Sequence, residues 1–389
     1  MDHSLKSIFI FAGEPSGDLH GSRLAQILKI KSPQISLMGV AGPKMRQESV
    51  RGPLIMEDFE VMGLTDVIRA LPKLYRHFYT IRDTILNTDP NAVVLIDYPG
   101  FNLRMAKALR KKGFKGKIIH YISPSVWAHG KHRIAEMEKN LDMLLTIYPF
   151  EAALFSKSAL DVHYVGSPIQ EYISQYRYAD DWQAKLEIPH SKKMIAIFPG
   201  SRKGEIARNL PLVLEAAVKL RQNDPDIIFG ISCFNETTKT FLEQNTGLFP
   251  GIKGALYQIP KEYTYELMRD SRCAIAKSGT VTLELALHKC PTVVVYKLSL
   301  MNHLYAKHLL KVDLPHYCIV NILAQKEVFP ELIEHGLDTQ NIFTQVKSLF
   351  NDGATRSACI QACREIDTSL GTNDANTKAS DAILRSIQC

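Results

Sequence analysis

The sequence predicts an α/β protein of two doubly wound domains, each a parallel sheet covered by helices on both faces. Three observations carry the prediction. A chain of 389 residues is longer than one hydrophobic core ordinarily organises, so two domains are the default. Short apolar runs alternate with amphipathic helical segments almost throughout, the pattern of strand–helix–strand units. The runs are continuous and rich in β-branched residues, as strands buried on both faces must be.

In chain order, the predicted strands are Ser7–Phe11, Ile35–Val40, Ala92–Ile96, Lys117–Ile122 and Met143–Ile147, then Met194–Phe198, Ile227–Ser232, Cys273–Ala276 and Thr292–Tyr296. Between them lie amphipathic segments such as Leu19–Lys29, Leu103–Lys112, Leu210–Asn223 and Thr280–His288. The pattern restarts after Val165-Gly166-Ser167-Pro168 and the polar stretch Tyr172–Lys193. This places a first domain at 1–168 and a second at 169–364, with Gly166 and Pro168 as the hinge. A final helix, Ala354 to Ser386, has no strand after it. Its last part, about 365–389, is expected to return to the first domain or to cross to a partner subunit, the latter giving an exchanged homodimer. Two such domains bring the carboxyl ends of both sheets to a shared cleft, where open α/β sheets bind ligands.

Composition narrows the class. A hydrophobic fraction of 46% and a charged fraction of 22% are those of a soluble globular protein. No apolar run approaches the roughly 20 residues that span a bilayer. The N-terminus enters a strand-like run directly, without signal-peptide architecture. The seven cysteines are scattered, without CxxC. Cys359 and Cys363 share a helix face, but no other ligand lies near them to make a zinc set, so reduced thiols are expected. The formal net charge of +7 fits an anionic substrate or an anionic membrane surface. Dispersed basic residues without interleaved aromatics argue against nucleic acid.

Three loops of the first half carry chemistry. Gly13-Glu14-Pro15-Ser16-Gly17-Asp18 follows the first strand. Its glycines permit a tight turn, and Ser16 or Asp18 caps a helix starting near Leu19. It is not GxGxxG, which disfavours a dinucleotide enzyme. Glu14 would repel a diphosphate and, with Ser16, suits a hydroxyl-bearing acceptor; the plain alternative for Glu14 is a solvated loop carboxylate or a helix N-terminal partner. Asp97, in Ile96-Asp97-Tyr98-Pro99-Gly100-Phe101-Asn102, ends a very apolar strand, and partial burial there would raise its pKa towards that of a general base. The alternative is a helix cap. In Tyr121-Ile122-Ser123-Pro124-Ser125-Val126-Trp127-Ala128-His129-Gly130, Trp127 and Tyr121 could stack on a sugar, and Ser123, Ser125 and His129 could bind hydroxyls. A cis-Pro turn beside a core Trp is the alternative.

Two loops of the second half pair a cation with small residues after a strand, an arrangement suited to a nucleotide diphosphate without a metal. In Gly200-Ser201-Arg202-Lys203-Gly204-Glu205, Arg202 can bridge phosphate oxygens or simply pair with Glu205. In Lys277-Ser278-Gly279-Thr280-Val281-Thr282-Leu283-Glu284, Ser278 and Gly279 expose a helix N-terminus, Thr280 and Thr282 add hydroxyls, and Glu284 can reach a ribose diol. First-turn dipole compensation is the alternative for Glu284.

Together the segments GEPSGD, IDYPGFN, YISPSVWAHGKHR, PGSRKGEI and SGTVTLE resemble the lipid-A-disaccharide synthases, in matching order from Phe9 to about Leu332. The resemblance implies two Rossmann-like domains facing a cleft (the GT-B arrangement). It implies transfer of 2,3-diacylglucosamine from its UDP form to the 6-hydroxyl of 2,3-diacylglucosamine 1-phosphate, with inversion, no metal and no cofactor. It also implies work at the inner face of the bacterial cytoplasmic membrane. On this resemblance Asp97 and Glu14 fall at acidic positions implicated in catalysis, with Asp97 ahead of Glu14 as the base. Arg202 falls at the diphosphate-binding arginine and Asn321 at a functional asparagine. The departures are Pro15, where Ala is frequent, and His129-Gly130, where larger residues stand; the latter bear on donor-sugar contacts near Trp127.

A lipid substrate gives weight to Gly63–Tyr79, where Leu64, Val67, Ile68, Leu71, Leu74, Tyr75 and Phe78 trace one helical stripe flanked by Arg69, Lys73 and Arg76. It reads as an interfacial helix or as an ordinary core-facing one, with Pro72 breaking it or starting a second piece. The basic run Lys107, Arg110, Lys111, Lys112, Lys115 and Lys117 adds surface attraction or is a solvated face. The rival functions are a related two-domain transferase or UDP-GlcNAc epimerase, and a catalytically silent UDP-sugar-binding protein. Intact Glu14, Asp97 and Arg202 speak against the last.

Overall fold

The computed structural model describes residues 6–59, 64–127, 133–190, 193–233, 236–297 and 314–388, the side chains of 64–71 and 246 excepted. The chain forms two compact units, one of Met1–Glu171 with Leu370–Cys389, the other of Tyr172–Ser369.

The first unit runs β1 (Ser7–Ala12), α1 (Pro15–Lys31), β2 (Ser36–Val40), α2 (Pro43–Gln47), α3 (Leu64–Thr88), β3 (Ala92–Ile96), α4 (Pro99–Lys111), β4 (Lys117–Tyr121), α5 (Arg133–Asn140), β5 (Met143–Thr146), α6 (Pro149–Leu154), β6 (Asp161–Tyr164) and α7 (Pro168–Ser174), whose last turn enters the second unit. The sheet is parallel, in the order β2-β1-β3-β4-β5-β6. Alternation along β1 assigns the two cores. Ile8, Ile10 and Ala12 face α1, and Phe9 and Phe11 face α3 and α4, all fully buried. A helix at Ala375–Ser386 closes the first face, burying Ala379, Ala382 and Ile383 among the same residues. Full burial of a side chain such as Ile383 is worth roughly 2 kcal/mol.

The second unit runs α8 (Trp182–Lys185), β7 (Met194–Phe198), α9 (Lys203–Asn223), β8 (Ile228–Cys233), α10 (Glu236–Asn245), β9 (Leu256–Pro260), α11 (Thr264–Asp270), β10 (Cys273–Lys277), α12 (Thr280–Leu287), β11 (Thr292–Tyr296), a short helix Ile319–Ala324, β12 (Glu331–Ile333), and helices Thr339–Phe350 and Ala354–Ser369. Its sheet is also parallel, in the order β12-β11-β10-β7-β8-β9.

Four expectations change. The final helix is two helices, Ala354–Ser369 in the second unit and Ala375–Ser386 in the first. They part at Gly371, whose φ of +82° is open to glycine but not to a helix. Helix α1 starts at Pro15, not near Leu19, with Glu14 as its N-cap. Asp18 therefore lies inside α1, where it is 2% exposed and accepts from the main-chain N–H groups of Lys44 (2.9 Å) and Met45 (3.0 Å) at the start of α2. Helix α3 continues through Pro72, doing without the one bond that the missing N–H would make. Its described part turns Leu74 and Phe78, then Ile81 and Ile85, into the core. Tyr75 leaves that stripe and is 65% exposed, its hydroxyl 2.8 Å from that of Tyr79. Leu64, Val67, Ile68 and Leu71 lie outside the described side chains.

Candidate functional site

Each sheet has one switch point, where the chain leaves the first strand on one side and returns on the other. In the first unit it lies between β1 and β3, and in the second between β7 and β10. The loops after β1, β3 and β7 hold Glu14, Asp97 and Arg202, and Lys277 ends β10.

In the first unit, the ladder extends one residue beyond β3, with Asp97 N–H donating to Tyr121 C=O at 2.9 Å. The chain then turns sharply, Asp97 and Tyr98 adopting φ of +51° and +44°. Two consecutive non-glycine residues in this region are uncommon and strained. Asn102, fully buried in the first turns of α4, holds the turn: its Nδ2 donates to the carbonyls of Ile96 (3.2 Å) and Asp97. Its Oδ1 accepts no hydrogen bond among the described residues. Burial raises the Asp97 carboxyl above its ordinary pKa, opposed by hydrogen bonds from the Tyr98 main-chain N–H and the Ser16 hydroxyl. Ser16 thus reaches from the first turn of α1 to the loop after β3. Glu14 and Ser16 are exposed, and the charge of Glu14 raises the Tyr98 phenol, after burial. Gly13 is needed for space: a Cβ there would lie 3.0 Å from the Tyr98 ring and 3.1 Å from that of Phe11.

Beyond β4, Ser123 is buried, its hydroxyl donating to Pro124 C=O at 3.1 Å. Ser125 is exposed. No peptide bond among the described residues is cis, so the Pro124 turn is trans. Trp127 stands edge-on to Phe150 (5.9 Å between ring centres), which stacks on Tyr148. Beneath lies Glu151, 1% exposed. Its Oε2 accepts from the main-chain N–H groups of Ile147 (3.2 Å) and Tyr148 (3.1 Å) at the start of α6. Burial pushes its carboxyl up to about 7, against those two bonds and the nearby Trp127 indole, whose N–H makes no hydrogen bond of ordinary geometry. His129 and Gly130 lie outside the described residues.

In the second unit, Gly200 turns the chain with φ of +100°, and α9 begins after Arg202. The Arg202–Glu205 pairing is weak: the atoms are 3.8 Å apart and the arginine side chain is 81% exposed. Glu205, itself buried, has a nearer partner in Lys277, 3.3 Å from the same oxygen. Lys277 ends β10 with its ammonium 4.7 Å from the centre of the Tyr296 ring. Burial lowers its pKa, Glu205 opposing. The loop after β10 therefore rests on a half-buried ion pair while Arg202 and Ser201 face solvent.

Gly279 is the N-cap of α12, extended, with open space where a Cβ would be. Ser278 is half-buried and Thr280 exposed. Thr282 is buried, its hydroxyl donating to Gly279 C=O at 2.7 Å, and adds nothing for a ligand. Glu284 accepts from the Tyr265 hydroxyl at 2.9 Å, and burial raises its carboxyl.

Asn321, which the resemblance puts at a functional position, is engaged inside the protein. It is fully buried. Its Nδ2 donates to Phe329 C=O (2.8 Å) and Glu331 (2.7 Å), and its Oδ1 accepts from Val328 (2.8 Å) and Phe329 (2.9 Å) main-chain N–H groups. Both donors and both acceptor positions are in use, holding the loop that leads into β12.

Sequence reasoning missed the roles of Asn102, Lys277, Glu205 and Glu151. The available signals were an amide in the first turns after a strained junction, and ionisable residues abutting apolar runs.

The sequence matches the family model described as Lipid-A-disaccharide synthetase over residues 8–384. A lipid-A-disaccharide synthase of Geobacter sulfurreducens is 31% identical over 377 residues, covering 97% of this chain and 96% of the relative. One of Chlamydia pneumoniae is 37% identical over 384 residues, covering 97% of this chain and 62% of the relative. The chain thus spans about three-fifths of the length of the chlamydial relatives it matches. Among solved structures, it is similar to a UDP-GlcNAc 2-epimerase of Neisseria meningitidis bound to UDP-GlcNAc, with a TM-score of 0.63, 13% identity, and coverage of 98% of this chain and 100% of that one. The S. aureus MnaA–UDP structure gives a TM-score of 0.64 at 13% identity, covering 96% and 94%. At such identities these two speak for the two-Rossmann fold alone. The family match runs through both switch-point loops of each unit, and on that ground the chain belongs to the lipid-A-disaccharide synthetase family.

Proposed function

We propose that the chain is an inverting glycosyltransferase. It moves 2,3-diacylglucosamine from UDP-2,3-diacylglucosamine to the 6-hydroxyl of 2,3-diacylglucosamine 1-phosphate, giving the disaccharide 1-phosphate and UDP. The observation that carries the reading is the division of chemistry between two switch points: a buried, base-like carboxylate at one and an exposed arginine at a helix N-terminus at the other. Family membership and fold neighbours solved with UDP and UDP-GlcNAc support it.

The Asp97 carboxylate takes the proton of the acceptor hydroxyl. That oxygen bonds to the anomeric carbon on the face opposite the diphosphate, and the anomeric C–O bond breaks with its electron pair leaving on UDP. Arg202, Gly200, Ser201, Ser278, Gly279 and Thr280 receive the diphosphate, where a cation and a helix dipole stabilise growing negative charge. Glu284 takes the ribose hydroxyls. On the first unit, Glu14, Ser125 and Trp127 are proposed to face the sugars. The raised pKa of Asp97 favours it over Glu14 as base.

Incubation with UDP-2,3-diacylglucosamine and the acylated monosaccharide phosphate, read by mass, tests the reading. A β-1,6-linked disaccharide phosphate is expected. Release of UDP without a disaccharide, or release of free N-acetylmannosamine from UDP-GlcNAc, would point to the epimerase-like alternative, and no turnover of either to a silent binder.

Among the described residues no helix is long and apolar enough to cross a membrane. Peripheral attachment at the inner face of the bacterial cytoplasmic membrane is therefore part of the proposal, with the first half of α3 and the exposed Tyr75, Lys111, Lys112 and Lys115 as its surface. Ile68→Glu with Leu71→Glu is expected to release the protein from anionic vesicles at unchanged Tm. A collapse in Tm would instead assign the whole stripe to the core.

A further inference from the structure

The second unit contains an aromatic array that ends on Glu284. Tyr265, on α11 and 9% exposed, donates its hydroxyl to Glu284 Oε1 at 2.9 Å. No hydrogen bond from a described residue is made to the other carboxylate oxygen, and the residue is partly exposed, which leaves that oxygen for the proposed contact. The Tyr265 ring is held by Tyr176, edge-on at 4.9 Å, and by His288 at 5.1 Å. His288 lies one turn after Glu284, with Nδ1 2.6 Å from the Glu284 main-chain carbonyl and Nε2 3.0 Å from the Tyr178 hydroxyl. A carbonyl can only accept, so Nδ1 carries the proton and Nε2 accepts from Tyr178. Burial keeps the ring neutral, its pKa lowered to about 4. Tyr176 in turn donates to the buried Glu266, which also accepts from Ala179 N–H at 2.8 Å.

A glutamate has three rotatable side-chain bonds and, facing solvent, would sample many settings. Here one oxygen is fixed by a phenol whose ring is wedged between aromatics. A ligand diol meeting the second oxygen thus finds an acceptor already oriented, which lowers the ordering penalty of binding. Among the roles open to Tyr265, simple core packing leaves its hydroxyl without purpose, since a phenylalanine would fill the same space.

Resting on the assignment of Glu284 to the nucleotide's ribose, we propose that Tyr265 is a positioning residue for that contact: its hydroxyl sets the Glu284 carboxylate to recognise a vicinal diol, so that Tyr265 governs selectivity for ribonucleotide over deoxyribonucleotide diphosphates.

The test is calorimetric titration of the full chain with UDP and with 2′,3′-dideoxy-UDP, for the parent, Glu284→Gln and Tyr265→Phe. The parent is expected to prefer UDP by about tenfold or more, the worth of one or two hydrogen bonds to a charged group. Glu284→Gln should lose most of that ratio. Tyr265→Phe should lower it several-fold through weaker UDP binding, with dideoxy-UDP binding unchanged. It should also move to higher pH the point at which the preference disappears on acidification, because Glu284 loses a donor that favours its ionised form. A Tyr265→Phe protein that keeps the full ratio while Glu284→Gln loses it would overturn the role of Tyr265 and leave that of Glu284 standing. So would a lower Tm with an unaltered ratio, the mark of a merely structural residue. A parent without preference, or a Glu284→Gln protein that retains it, would instead overturn the assignment of Glu284 itself.

Discussion

The side-chain amide of Asn102 donates to the main-chain carbonyl of Asp97, so the proposed base is braced from behind by the helix that follows it. The same amide holds Ile96 C=O at 3.2 Å. It thereby maintains two successive residues at positive φ, a conformation that costs on the order of 1 kcal/mol per residue or more. Asn102→Ala leaves the turn unbraced. A loss of about 1–3 kcal/mol in unfolding free energy is expected in urea titration, with kcat falling more than the donor KM changes. A stable variant with parental kcat would contradict this.

Asp97 itself couples stability and chemistry in opposite directions. Burial raises its carboxyl, so the folded state binds that proton more tightly than the unfolded chain does. Its contribution to stability is present below the ordinary carboxylate pKa and is lost as pH rises through the raised value. Asp97→Asn removes a charge that is desolvated at neutral pH. The expected variant melts higher than the parent at pH 7.5, binds UDP as before and does not turn over. Retained turnover would remove Asp97 from the base role. Ser16→Ala deletes a donor to the ionised form, so the acidic limb of the kcat/KM profile should shift to higher pH.

Glu151 offers a second pH dependence, separate from turnover. Its carboxyl is raised from 4.5 to about 7 by burial, a difference worth on the order of 3 kcal/mol. The sign is that of a raised acid: stability is greatest below about pH 4.5 and declines as the group ionises through about 7. Glu151→Gln keeps an acceptor for the Ile147 and Tyr148 N–H groups but carries no charge. Thermal melts from pH 5 to pH 8 should show the parent losing more stability than the variant. Parallel curves would mean that Glu151 is ionised throughout.

Arg202 and Asn321 are expected to separate cleanly. Arg202 is 81% exposed, so Arg202→Ala should leave Tm unchanged and weaken UDP by roughly tenfold to a hundredfold, the worth of a lost charge-assisted contact. Asn321 uses all of its hydrogen-bonding capacity inside the protein. Asn321→Ala should therefore lower Tm first and affect UDP only through the loosened loop. A UDP defect at parental Tm would return Asn321 to the ligand.

Continuous apolar runs made the inner strands legible. Met194–Phe198 and Ala92–Ile96 are buried at every position, and their ends locate the Arg202 and Asp97 loops. The strands that escaped are β6, β9 and β12, all at sheet edges. Their one-sided or partial burial, as in Asp161–Tyr164, leaves no apolar run to read. Residue roles failed where the partner is remote. Asp18 caps a helix 26 residues away, and Tyr265 serves a carboxylate 19 residues on; spacing along the chain holds no trace of either. The family resemblance puts Asn321 at a functional position but carries no information on its hydrogen bonds to Phe329, Glu331 and Val328.

The return of Ala375–Ser386 to the first unit has a consequence for how the polypeptide emerges from the ribosome. The second unit is continuous in the chain and can complete its core as soon as Ser369 is clear of the exit tunnel. The first unit, although translated earlier, waits with the seats of Ala379, Ala382 and Ile383 uncovered. The apolar face of the half carrying Glu14 and Asp97 can therefore be completed only once Ala375–Ser386 has emerged.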